Sequence, residues 1–130
     1  MGLLDMFKKS DSSASSEEKK VMPWIGLTEL SQLDAIKENS KGKTQLIFKD
    51  STRCGISKMV VRQFVSAYNF EGQIDAYYLD LLNYRPISQE IAERFQVMHQ
   101  SPQLVVIKNG VVVHHASHHD IRAENLTQYV

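Results

Sequence analysis

The sequence predicts one α/β domain, with a central mixed sheet of about four strands flanked by helices. Two observations predict this fold class. Short apolar runs alternate with amphipathic segments along most of the chain, which is typical of parallel strands joined by helices. The last apolar run then leads into Asn109-Gly110, the strongest two-residue signal for an antiparallel hairpin. A chain of 130 residues with 42% apolar and 23% charged side chains can form one packed core.

The first predicted helix follows Trp24, where the folded part is expected to begin. Thr28 suits its N-cap, and Gly42 ends it. Its apolar side chains recur at helical spacing: Leu30, Leu33 and Ile36. Residues 44–49, T-Q-L-I-F-K, form a compact apolar run that predicts a buried strand.

The second helix follows a turn predicted at residues 51–55 and ends before Gly72. Its buried face is predicted from the apolar positions Met59, Val60, Phe64, Val65 and Tyr68. Residues 73–81 predict the second strand. Pro86 suits the first turn of a third helix. That helix would bury Ile87, Ile91, Ala92 and Phe95.

The remaining elements form the C-terminal hairpin and a last helix. Residues 103–107 predict a third strand, and residues 111–114 predict the strand that returns after Asn109-Gly110. Asp120 is suited to cap a helix that continues to Val130. The predicted order is therefore α-β-α-β-α-β-β-α.

Residues 1–22 predict a disordered tail ahead of a single domain at 23–130, because residues 8–20 are almost entirely serine and charged. The first residues do not resemble a secretory signal, since Asp5 interrupts the apolar part and the lysines follow it. One cysteine cannot form an internal disulfide, and we expect a cytoplasmic protein without a membrane span. Fifteen basic and fifteen acidic residues give no electrostatic reason to expect nucleic acid as a partner.

The single cysteine lies in D-S-T-R-C-G-I-S-K, between the first predicted strand and the second helix. At a helix start, unpaired backbone N–H groups stabilise a thiolate, which would lower the pKa of Cys54. Gly55 would let the backbone come close, the Ser57 hydroxyl could donate to the sulfur, and Arg53 would add positive charge. Two alternatives stay open. Cys54 could be a buried structural thiol, although its polar neighbours argue against burial, and Ser57 could serve only the backbone.

Four further segments carry a family resemblance: T-R-C-G-I-S, R-P-I-S-Q-E-I-A-E-R-F, H-Q-S-P-Q-L-V-V-I-K-N-G and A-S-H-H-D-I. Together with the element order, they resemble the thioredoxin fold and, within it, the YtxJ-like monothiol bacilliredoxins. The resemblance runs from about Trp24 to the C-terminus. It implies a cis peptide bond at Ser101-Pro102, in a loop that packs against Cys54.

The resemblance also implies the residues that surround Cys54. The backbone before Pro102 would pair with substrate, which makes Ser101 a substrate contact. Ser117 and His118 would lie in the loop after the last strand, with His118 as a proton carrier or a donor to a carboxylate. A surface loop of solvated histidines is the alternative. As a metal site, H-H-A-S-H-H is weak, and no metal is expected; His114, His115 and His119 receive no role.

The implied function is thiol–disulfide exchange at Cys54, which makes the chain a candidate thiol–disulfide oxidoreductase that removes bacillithiol adducts from protein cysteines. Ser57 cannot attack the mixed disulfide, so a second thiol must release the adduct. The implied partners are thiolated client proteins, bacillithiol as co-substrate and a flavin disulfide reductase, with no tightly bound cofactor. Lys49 and Arg85 could bind carboxylates of the small thiol, although both are equally explained as surface residues.

Two other functions remain open at this point. C-G-I-S also resembles the C-G-F-S of monothiol glutaredoxins, which would make the chain a [2Fe–2S] carrier. A binding module that uses the groove beside Pro102 without any chemistry at Cys54 is the third possibility.

Overall fold

The computed structural model describes residues 21–51 and 55–130. Its strands form one mixed sheet in the order β1-β3-β2-β4-β5, in which β1, β3 and β2 are parallel and β4 and β5 are antiparallel. The strands are β1 Ile25–Gly26, β2 Thr44–Asp50, β3 Ile74–Asp80, β4 Gln103–Lys108 and β5 Val111–Ser117. This is the predicted fold class, with one strand more than the sequence indicated.

Helices cover both faces of the sheet. They are α1 Ser31–Asn39, α2 Gly55–Ala67 and α3 Arg85–Arg94, followed by the 3-10 helices η1 His118–Asp120 and η2 Ala123–Tyr129. One core cluster joins α2 and η2 to one face of the sheet, and a second joins α1 and α3 to the other. In the described part of the chain, no helix is long and apolar enough to cross a membrane.

Strand β2 is the centre of the fold, and all seven of its residues are buried. Side chains alternate along a strand, so Leu46 and Phe48 enter the α2 cluster while Ile47 enters the α1/α3 cluster. The same alternation places Asp50 on the α2 side and Lys49 on the α1/α3 side. A strand buried on both faces explains the unbroken apolar run in the sequence.

The predicted cap of the first helix is wrong. The helix begins at Ser31 and has no side-chain cap from Thr28. Instead, Oε1 of Gln32 accepts hydrogen bonds from the backbone N–H groups of Thr28 (2.8 Å) and Glu29 (3.0 Å). The Gln32 side-chain amide therefore satisfies two backbone donors ahead of the helix, and Leu30 lies outside the buried face.

Trp24 packs into the α2 side of the core. Its ring centroid lies 5.8 Å from Phe48, 6.3 Å from Phe64 and 5.5 Å from Tyr78. The next two residues, β1, pair with β3. A two-residue strand has no alternation to detect, which is why the sequence did not predict it. Met59, predicted to be buried on α2, is instead 47% exposed.

The C-terminal hairpin is confirmed, and the last helix is not. Asn109 and Gly110 have positive φ angles of 54° and 81°, as a type I′ turn requires. Strand β5 continues to Ser117, beyond the predicted end at His114. Two 3-10 helices replace the predicted α-helix, and Asp120 ends η1 instead of capping a helix.

Candidate functional site

The candidate site is the carboxyl end of β2, where the sequence places Cys54. Cys54 and Arg53 lie outside the described residues. The segments around them are described: β2 ends at Asp50, and α2 begins at Gly55, the residue after Cys54. A Cβ added to Gly55 would meet no atom of the described structure within 4 Å beyond its chain neighbours. Among the residues that the structure describes, none comes close enough to require glycine at this position.

Ser57 faces the sheet from the first turn of α2. It shares the buried side of this helix with Val60 and Phe64, and it is completely buried. Its Oγ has no hydrogen-bond partner among the residues that the structure describes. An unpaired buried hydroxyl costs free energy, so a partner in the adjoining segment 52–54 would stabilise it.

The Ser101-Pro102 peptide bond is cis, as the resemblance implied. Lys49 of β2 pairs with Gln103 of β4 in antiparallel register. Continuing this register by one residue puts Pro102 opposite Asp50. The Gln103 side chain holds the preceding loop, donating to the Met98 carbonyl (2.9 Å) and accepting from the Gln100 N–H (3.3 Å). Within 21–51 and 55–130, Oγ of Ser101 is a buried atom without a partner.

His118 is brought to the proline loop by its backbone. Its N–H donates to the Pro102 carbonyl at 3.1 Å, and its φ of 56° is left-handed. Its side chain is exposed. Ser117 was predicted to lie in the loop after the last strand, and this is wrong: it is the last residue of β5 and pairs with Gln103. The strand is longer than its apolar residues indicated.

The remaining histidines do not converge on this site. His114 stacks on Tyr129 with ring centroids 5.4 Å apart, and burial, together with the neighbouring His115, lowers the pKa of His114. His115 is exposed on the opposite side of the strand. In the described ranges, no three His, Cys, Asp or Glu side chains are grouped so that they could hold a metal ion.

Asp50 is a site residue that the sequence analysis missed. It is only 5% exposed, and Oδ2 accepts a hydrogen bond from the Tyr78 hydroxyl. Burial and this hydrogen bond raise the pKa of Tyr78, so the phenol stays a donor. Oδ1 of Asp50 has no partner in the described part of the chain. The alternation of Leu46, Phe48 and Asp50 could have placed this carboxylate under α2 from the sequence.

Three buried polar atoms without described partners lie at the end of β2, in the first turn of α2 and directly before Pro102. They are Oδ1 of Asp50, Oγ of Ser57 and Oγ of Ser101. We call these three groups the polar frame. The two hydroxyls can donate hydrogen bonds, and the carboxylate can accept them. Such groups can stabilise a thiolate when they lie beside it.

Of the two explanations of Lys49 that the sequence allowed, the surface position is wrong. Its side chain is completely buried, and burial lowers the pKa of its amine from 10.5 to about 8. Its Nζ lies 3.3 Å from Nδ1 of His99 and 3.5 Å from the Ser88 carbonyl. The polar neighbours of Cys54 are thus not a sign of exposure, because Asp50 and Ser57 are buried as well.

We expect Lys49→Met to stabilise the protein by about 2 kcal/mol near pH 7, because it removes a buried ammonium group and keeps a side chain of similar length. The pKa of Lys49 is lower in the folded state, so the unfolded chain binds more protons between about pH 8 and 10.5. Wild-type stability therefore rises with pH in that window. Urea unfolding at pH 7, 9 and 11 measures this difference.

The advantage of Lys49→Met should be largest at pH 7 and shrink through that window. Lys58→Met is the matched control, since Lys58 is exposed on α2. A pH-independent difference between Lys49→Met and wild type would contradict the assignment of a buried charge.

Comparisons with known proteins indicate the family and the fold of this chain. A family model described as "Monothiol bacilliredoxin BrxC" matches residues 25–126. A solved structure of a proposed oxidoreductase with a thioredoxin fold is 33% identical, covers 80% of this chain and 90% of its own, and has a TM-score of 0.69.

Two solved thioredoxins show the fold at lower identity. Thioredoxin from Malassezia sympodialis is 21% identical, with 80% of this chain and 84% of that chain covered and a TM-score of 0.61. Thioredoxin from Fasciola hepatica is 16% identical, with 80% and 93% covered and a TM-score of 0.60.

Proposed function

The chain belongs to the monothiol bacilliredoxin family, and from that premise we propose that it removes bacillithiol from protein cysteines, one adduct at a time, through Cys54. The observation that carries the proposal is the pairing of a single cysteine with a buried serine three residues later. A cysteine at position 57 could attack the mixed disulfide on Cys54 and release the adduct by forming an internal disulfide, and a serine cannot.

In the first step, the Cys54 thiolate attacks the bacillithiol sulfur of a client mixed disulfide. The client–bacillithiol S–S bond breaks, a bond between Cys54 and bacillithiol forms, and the client cysteine leaves as a thiolate that takes a proton. In the second step, the thiolate of another bacillithiol attacks the adduct. This step returns Cys54 as a thiolate and releases oxidised bacillithiol, which a flavin disulfide reductase would reduce.

The polar frame supports this cycle. A hydrogen bond donated by the Ser57 hydroxyl would stabilise the thiolate form of Cys54 in both steps. The Asp50 carboxylate is the acceptor in the frame, and it would take the proton of the incoming second thiol. The segment before Pro102 offers backbone groups to an extended client, with Ser101 in contact with it. His118 would be a proton carrier at the rim of the same groove.

Transfer of an adduct from a model client tests the proposal. Incubating wild-type protein with an excess of a bacillithiol-modified client should release close to one client thiol per chain and stop. Adding bacillithiol should restart release, because the second step then proceeds. Release that continues without any added thiol would overturn the monothiol cycle, since nothing in that cycle would regenerate Cys54.

A further inference from the structure

A small cavity lies at the same edge of the sheet, on the α1/α3 side. Its volume is about 110 Å³, and its lining is Leu81, Arg85, Ser88, Gln89 and His99. The N–H of Leu81 donates to the Asp50 carbonyl at 3.1 Å, which places the cavity beside the end of β2. Four residues lead from Asp50 to Cys54, so their Cα atoms are at most roughly 14 Å apart.

The buried Lys49 determines which ring nitrogen of His99 carries the proton. An ammonium group can only donate, so at 3.3 Å Nδ1 of His99 must be its acceptor. Ser88, which is buried, also places its Oγ 3.2 Å from Nδ1. The proton of the neutral ring is then on Nε2, on the side away from Lys49. Burial, Lys49 and Arg85 all lower the pKa of His99, which keeps the ring neutral.

Two cationic side chains, Lys49 and Arg85, lie at or behind the cavity, and no acidic partner is described for either of them. Among the residues at 21–51 and 55–130, neither Lys49 nor Arg85 forms an ion pair with an acidic side chain. Asp80, the residue before Leu81, accepts hydrogen bonds from the Leu82 N–H (3.2 Å) and from the Asn83 amide (2.7 Å). A buried ammonium without an anion is costly, and an anion in the cavity would offset that cost.

We propose that the Arg85–His99 cavity binds a carboxylate of the small thiol that Cys54 exchanges. The Arg85 guanidinium and the Nε2–H of His99 supply two donors, and the charge of Lys49 lies behind them. A carboxylate is the small planar anion that an arginine fork matches. This inference rests on the proposed function, and it assigns the cavity to the recognition of the adduct and not to the exchange itself.

Two disulfide probes of similar size test the inference. One is the symmetric disulfide of 3-mercaptopropionate, which carries carboxylates, and the other is the symmetric disulfide of 3-mercaptopropanol, which is neutral. The measurement is the rate of adduct formation on the full chain, divided by the rate of each probe with free cysteine. We expect wild type to prefer the carboxylate probe by about tenfold, the value of one charge-assisted hydrogen bond.

Arg85→Gln should remove most of that preference, and Arg122→Gln should keep it. Arg122 is also an exposed arginine and lies beside η2, on the other side of the sheet, so the two variants change net charge alike. An unchanged preference in Arg85→Gln, or no preference in wild type while the neutral probe still reacts, would overturn the cavity assignment and leave the exchange at Cys54 standing. If neither probe reacted faster than it does with free cysteine, the proposed function would fail, and the cavity assignment with it.

Discussion

Replacing Cys54 with serine is expected to reduce release of client thiol to the uncatalysed rate. The thiolate is both the nucleophile and the adduct carrier, and a serine hydroxyl is neither ionised at neutral pH nor able to form the S–S bond. The chain has no other cysteine to take over. The measurement is the rate of client release, with the mass of the variant followed in parallel to show that no adduct forms.

Ser51→Ala is a suitable companion variant, because Ser51 is half-buried next to the polar frame and is not part of it. It should keep most of the wild-type rate. If Cys54→Ser still released client thiol at the wild-type rate, Cys54 would not be the nucleophile, and the exchange mechanism would be wrong.

Replacing Ser57 with cysteine is expected to change the outcome of the reaction altogether. Ser57 is three residues after Cys54 and faces the core from the first turn of α2. A thiol there is close in size to the hydroxyl, so we expect it to fit. It would attack the Cys54 adduct and release the small thiol, leaving an internal disulfide. After reaction with oxidised bacillithiol, the variant should be lighter by two hydrogen atoms and carry no adduct.

Ser66→Cys is the matched control for that change. Ser66 lies on the same helix and is exposed, nine residues along and therefore roughly 13 Å from Ser57. It adds a thiol that cannot reach Cys54 within the helix, so the adduct should persist. A Ser57→Cys variant that retained its adduct as wild type does would contradict the placement of Ser57 beside Cys54.

The order of the larger elements and the hairpin could be predicted because each has a strong local cause. The buried run 44–49, Pro86 and Asn109-Gly110 each restrict the backbone by themselves. The elements that were predicted wrongly, or were not predicted, lack such a local cause. Strand β1 is two residues long, and the C-terminal segment folds as 3-10 helices around the packing of Ala123 and Leu126.

The sequence motifs predicted which residues belong to the candidate site, but they did not predict which polar side chains are buried there. Cys54, Ser57 and Pro102 follow from motifs, and the cis bond follows from the resemblance. Asp50 and Lys49 were missed as buried groups because polar residues suggest exposure. The structure shows that β2 is covered on both faces up to its last residue, so its polar end is buried with the rest.

The sequence suggested Arg85 and Lys49 as ligands for a carboxylate of the small thiol, but it did not indicate the cavity or the part of His99 in it. Arg85 and His99 lie on α3 and on the loop before β4, and only the fold brings both toward Lys49. Nothing in the spacing of these residues indicates that they meet.

Intact-mass measurement after incubation with oxidised bacillithiol, and in parallel with glutathione disulfide, shows whether Cys54 exchanges small thiols. We expect a single bacillithiol adduct on Cys54, formed faster than the glutathione adduct and removed by excess thiol. If neither disulfide modified the chain faster than it modifies free cysteine, Cys54 would not be the centre of a monothiol exchange reaction.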